Sequence, residues 1–171
     1  MQVLLILALQ ISCGYVFQLT GFMIMLFMLG LALGSAAGTR WSGLHTFRFY
    51  ISLQLSIAAL CILIPVVLIP TIGYGSPEWL IQSLIAAITL LFSSLTGMQY
   101  SLAFTLSPDN SGKSVAKYYS SDLFGSALGA LIIPVFIFPV LGLMNTGCLL
   151  ALLNSAVVAL LFFKRRNFVP L

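Results

Sequence analysis

Only three carboxylates occur among the 171 residues, and one of them, Asp122, falls inside a long apolar stretch. An acidic side chain at membrane depth is costly to keep, so by default it marks a functional position. Helical spacing puts Asp122 on one face with Tyr118, Gly125, Ser126 and Gly129. At 1.5 Å per residue it lies about 10 Å in from the start of its helix. Gln54 and Gln99 fall at a similar depth in two other helices, with Ser35 and Tyr100 near that level. Ser35, Gln54, Gln99, Tyr100 and Asp122 are therefore expected to form a polar layer near the inner leaflet, with Asp122 pointing into the bundle. Two chemistries fit such a layer. It is a hydrogen-bonded network that satisfies Asp122, or it is a site for a proton, a cation or a substrate.

Other chemistry finds no support. Cys13, Cys61 and Cys148 lie far apart in apolar runs, so neither a disulfide framework nor a zinc site is suggested. His45 has no second ligand nearby, and Glu78 reads as a helix start. Gly112-Lys113-Ser114 matches the end of a phosphate-binding loop, but Ser107 stands where the earlier glycine belongs and no strand precedes it. No dinucleotide fingerprint and no Ser/His/Asp or Cys/His set occurs. No catalytic residue, metal or cofactor is expected, and the chain reads as a non-enzyme.

Composition settles which elements position these residues. Hydrophobic residues make up 61% and charged residues 6%, where soluble domains carry roughly 25% charged. Mean hydropathy is +1.15. Too few charges exist to cover a globule in water, so the chain is expected to be an all-α integral membrane protein. The net charge of +4 comes from seven Lys and Arg. It is a loop property, not a nucleic-acid patch. The N-terminus is apolar from residue 2 and lacks the basic segment of a signal peptide.

A crossing needs ~20 mostly apolar residues. Six helices are expected, at about residues 2–17, 20–38, 48–69, 77–106, 114–138 and 144–163. Gly14, Gln18, Thr20 and Gly21 mark the first break. Ser76 is the expected N-cap of the fourth helix, with Pro77 following, and Pro65 is expected to kink the third. The first helix is short, as though the chain were part of a larger membrane domain. Arg40 and Arg48 flank one loop, Lys113 and Lys117 another, and Lys164, Arg165 and Arg166 follow the last helix. With six crossings all three clusters share one side, which the positive-inside rule makes cytoplasmic. Both termini are then cytoplasmic, in the cell's inner or plasma membrane. Trp41 and Trp79 fall near opposite interfaces.

Small residues show how helices approach one another. Gly30, Gly34 and Gly38 repeat every four residues, with Ala37 alongside, and Ser121, Gly125 and Gly129 repeat in the same way. Such ridges bring backbones close where lipid supplies no hydrophobic drive. Either they pack helices within the chain, or they form an interface with a second copy or another subunit. Asn145, Asn154 and Ser155 suit interhelical hydrogen bonds.

The stretches Tyr119-Ser120-Ser121-Asp122-Leu123-Phe124-Gly125-Ser126-Ala127-Leu128-Gly129-Ala130 and Pro139-Val140-Leu141-Gly142-Leu143 resemble the membrane region of membrane-fused spermidine synthase-like proteins. So do Leu95-Thr96-Gly97 through Leu102-Ala103, Leu152-Leu153-Asn154 and Met25 to Ser35. That family joins a major-facilitator-like membrane part to an aminopropyltransferase domain. The resemblance implies a six-helix half of such a membrane part, with Asp122, Gly125 and Gly129 at motif positions. It carries over no catalytic residue, because the soluble Rossmann-like domain has no counterpart in these residues. The leading expectation is a non-catalytic membrane subunit that anchors or orients a partner, either a separately encoded enzyme or another membrane protein. The rival is a half-transporter for a cation or polyamine, coupled through Asp122. Membrane lipid, and another subunit or a homo-oligomer, are the expected partners.

Overall fold

The computed structural model describes residues 2–13, 17–40, 46–73, 77–105 and 112–168. Every described residue except Pro77 falls within a helical element, although Gly142 inside the last of them is not itself helical in conformation. The elements are α1 (Gln2–Cys13), α2 (Phe17–Arg40), α3 (Thr46–Gly73), α4 (Glu78–Thr105), α5 (Gly112–Ile132), a π-turn (Ile133–Ile137) and α6 (Phe138–Phe168). Trp41, His45, Ser76 and the turn at 107–111 lie outside the described residues.

Four stretches are long and apolar enough to cross a membrane: Leu19–Arg40, Arg48–Gly73, Glu78–Ala103 and Tyr119–Leu161. The protein is thus all-helical with membrane-spanning character. The expected count of six separate helices is corrected to five helical segments, because residues 112–168 run on without a loop. The reason lies in the prolines. Pro134 and Pro139 have no N–H to give the carbonyls of Ala130 and Val135. The chain widens instead, and the Phe138 N–H bonds back five residues to the Ile133 carbonyl. The expected break is then a single residue, Gly142, at φ 70° and ψ −179°, a conformation open to glycine and strained for other residues. The Gly142 carbonyl is not wasted, for it accepts the Thr146 hydroxyl at 2.6 Å.

Other boundaries shift in similar ways. α2 begins at Phe17, so Thr20 and Gly21 are helical rather than a break. α3 continues through Pro65 and Pro70 to Gly73. At the start of α4, the Pro77 carbonyl accepts the Leu80 N–H at 2.9 Å, so Pro77 holds the capping position. α1 has 12 residues, about 18 Å of helix against a hydrocarbon core of ~30 Å.

Contacts fix the relative directions. Gly30 lies against Leu90 and Ser93, Gly34 against Ser94, and Gly38 against Met98 and Ser101. Residue numbers rise together, so α2 and α4 run parallel. Gly97 returns the fit against the Leu31 backbone. A methyl at Gly38 would stand 2.9 Å from the Met98 carbonyl oxygen, so only glycine permits this approach. The expected ridge on the second helix is therefore an internal packing seam. On the other side, Gly147 packs on Cys61 and Pro65 while Asn154 reaches Gln54, so α3 and α6 are antiparallel. α3 and α4 are antiparallel as well: Gln54 meets Gln99 at one end, and Ile64 and Leu68 share a buried cluster with Ile81 and Ile85 at the other. Leu5 and Leu9 of α1 and Met23 of α2 complete that cluster.

Candidate functional site

Hydroxyls inside the bundle satisfy themselves locally. Thr89 and Thr96 bond the carbonyls one turn back, at 2.7 and 2.8 Å, as membrane helices commonly arrange. Side-chain amides cannot do this so completely, and three of them meet between α3, α4 and α6. Gln54 Nε2 donates to Asn154 Oδ1 at 2.7 Å. Gln99 Nε2 donates to Gln54 Oε1 and to the Tyr50 hydroxyl, the latter at 3.3 Å. Asn154 Nδ2 closes the chain on the Leu150 carbonyl at 2.9 Å. Gln54, at its centre, is 3% exposed. No described buried side-chain nitrogen or oxygen lacks a partner.

Beside this chain of amides lies a cavity of about 190 Å³, lined by Ile57, Cys61, Phe92, Thr96, Gln99, Leu150 and Asn154. No carboxylate or cationic group lines it. The arrangement fixes the rotation of three helices about one another and offers neutral hydrogen-bonding groups to a small apolar space. It provides no nucleophile–base pair. Among the described residues, no three of His, Cys, Asp and Glu come together to hold a metal.

The expected polar layer divides into two. Gln54 and Gln99 are joined directly, and Tyr50 and Asn154 belong with them. Tyr50 lies four residues before Gln54, on the same helical face, which is the signal that would have found it. Tyr100 turns outward and is 37% exposed. It stands within electrostatic reach of Asp122 and Tyr119. Ser35 is half-buried on α2. Asp122, expected to point into the bundle, is exposed rather than enclosed by it. The physical reason is that α5 stands off from its neighbours. A crevice of about 540 Å³ separates Leu123, Ser126, Ala127, Gly129, Ala130 and Ile133 from Gln2 and Val3 of α1, Phe27 of α2 and Phe92 of α4.

The second small-residue ridge is likewise unpacked. Ser121 and Gly125 are exposed, and a methyl at Gly125 would meet nothing within 4 Å. At Gly129 it would meet only the Ile133 side chain, at 4.0 Å. Asn145 is exposed, and Ser155 bonds the Ala151 carbonyl at 2.8 Å. Ser93, Gly97 and Ser101, which complement the α2 glycines, were missed, although they too repeat every four residues.

These features define a helical membrane protein whose interior polar groups are neutral and mutually bonded. No protein-family model, curated protein or solved structure matches the chain.

Proposed function

We propose that this chain is a non-catalytic integral membrane subunit that packs against a partner protein through α5. One observation carries the reading. Every described side chain from Tyr119 to Leu128 is exposed, and α5 mixes Ser120, Ser121 and Gly125 with large apolar residues such as Phe124, which is 69% exposed. Small and hydroxyl residues at this density suit a helix–helix contact. The partner is another membrane subunit or, as the family resemblance suggests, a separately encoded enzyme.

Both termini on the cytoplasmic side, and placement in the cell's inner or plasma membrane, belong to this reading. Register supports a reversal within the last long stretch. Asp122 is near Tyr100, whereas Gly129 and Ala130 gather with Phe92 farther down α4, so α5 runs antiparallel to α4. α6, antiparallel to α3, climbs back. The reversal then falls at Gly142, and the 43 residues of Tyr119–Leu161 are about twice the ~20 that one crossing needs.

Extraction in mild detergent is expected to recover a stoichiometric partner. Recovery of the chain alone as a monodisperse monomer refutes the subunit reading. The alternative, a half-transporter coupled through Asp122, draws on that carboxylate's position beside Tyr100. It requires Asp122→Asn to abolish pH-dependent uptake in vesicles, and unchanged uptake removes it.

A further inference from the structure

The crevice between α5 and the rest of the bundle has a chemistry of its own. Its walls are mainly apolar, with Phe27 and Phe92 alongside Leu123, Ala127, Ala130 and Ile133, and Gln2 and Ser126 are the polar residues of its lining. In hydrocarbon such a space does not stay empty. Its walls would lose dispersion contacts, and water would find few polar partners there. At about 540 Å³ it is also too small for a full membrane helix, which is ~10–12 Å across with its side chains.

One end of the crevice is different. Ser126 lines it, and Asp122 lies one helical turn beyond Ser126. Across the gap Tyr100 of α4 stands within electrostatic reach of Asp122, with Tyr119 beside them. By their spacing of three and four residues Tyr119, Asp122 and Ser126 share one face of α5, which puts a phenol and a carboxylate beyond the Ser126 end of the slot. This end is level with Gln99, toward the termini of α2 and α4 that carry Arg40 and Thr105. Tyrosines at a membrane interface sit at headgroup depth. A carboxylate there calls for a cation that can also donate hydrogen bonds.

We infer that this crevice binds one phospholipid with a primary-amine headgroup, its ammonium on Asp122 and an acyl chain between α5 and Phe27 and Phe92. Phosphatidylethanolamine has this chemistry. A glycerol headgroup brings no ammonium to Asp122, and a quaternary choline has no N–H to donate. Leu123, Ser126 and Ala127 of the crevice also belong to the exposed run that carries the subunit reading, and the nature of what is captured at Ala130 separates the two.

Native mass spectrometry of the full chain, delipidated in mild detergent and titrated with phosphatidylethanolamine, phosphatidylcholine or phosphatidylglycerol, tests it. The expected result is at least about tenfold tighter retention of phosphatidylethanolamine, given a charge-assisted contact at a partly desolvated site. Asp122→Asn should erase the headgroup preference while acyl-chain binding persists. Asp122→Glu should keep the preference. Ala127→Trp, which fills the crevice from an exposed position, should abolish binding of all three lipids without altering the elution profile of the protein. Equal retention of the three lipids by the unaltered chain overturns the inference. So does a preference that survives Asp122→Asn, or a photoreactive group at Ala130 that captures a protein helix rather than lipid.

Discussion

Replacing Gln54 with leucine isolates what the buried amide chain contributes. Gln54→Leu is close in volume and apolar, so packing changes little. It removes two interhelical hydrogen bonds, one to Asn154 Oδ1 and one from Gln99 Nε2. Interhelical bonds in membranes average about 0.6 kcal/mol, so the two together amount to roughly 1.2 kcal/mol. Gln99 keeps the Tyr50 hydroxyl, but Asn154 Oδ1 is orphaned, adding about 1 kcal/mol of unmet desolvation. The expected loss is therefore about 2 kcal/mol, roughly a thirtyfold shift in the folding equilibrium. The triple variant Gln54→Leu, Gln99→Leu, Asn154→Leu removes the three amides together and takes a donor only from the half-buried Tyr50 hydroxyl. It should lie within about 1 kcal/mol of the unaltered protein, because replacing all partners by apolar groups is nearly neutral. Reversible unfolding in mixed micelles, titrated with dodecyl sulfate, reads both. A single variant within about 0.5 kcal/mol of the parent, or a triple variant less stable than the single, refutes the reasoning.

Gly34→Leu should prevent α2 from seating on α4, since even a methyl there collides with the Ser94 backbone, and folded monodisperse protein should be lost. Gly125→Leu, with nothing within 4 Å, should change the isolated chain's stability by no more than about 0.5 kcal/mol; co-purification of the partner is where it should register. Gly142→Ala should cost about 1–3 kcal/mol in the same micelle titration, because alanine is strained at φ 70°. Cys61, 1% exposed, should react with maleimide more slowly than the half-buried Cys148, and unfolding should erase the difference.

Much of this architecture was legible in the sequence because lipid constrains a helix so strongly. Apolar length placed the long helices, and the four-residue glycine repeat of α2 marked a close approach. That repeat says a backbone can come near, not what comes near it. The same pattern packs tightly in α2 and stands open in α5. Depth was legible too, so Gln54 and Gln99 were placed at one level. Azimuth was not, and so Tyr100, one residue past Gln99, was grouped with it although it turns about 100° away. Asn154 reads as an interhelical hydrogen-bonding residue, and the bond from Gln54 realises that, but its depth was not matched to Gln54 and Gln99; Tyr50 was not singled out at all. The end of α5 was misjudged for a different reason. Two prolines and a glycine suggest a loop, yet a π-turn and one residue of positive φ are enough.

The parallel pairing of α2 with α4 also sets a timetable. Gly30 finds Ser93 only after some sixty further residues have been made. At roughly 5–20 residues per second of synthesis that interval is about 3–12 s. Through it the glycine seam of α2 travels uncovered, while α3 is threaded as the intervening return. The ribosome's pace, and any chaperone that shields a bare seam at the insertion site, thus become part of how this protein reaches its final form.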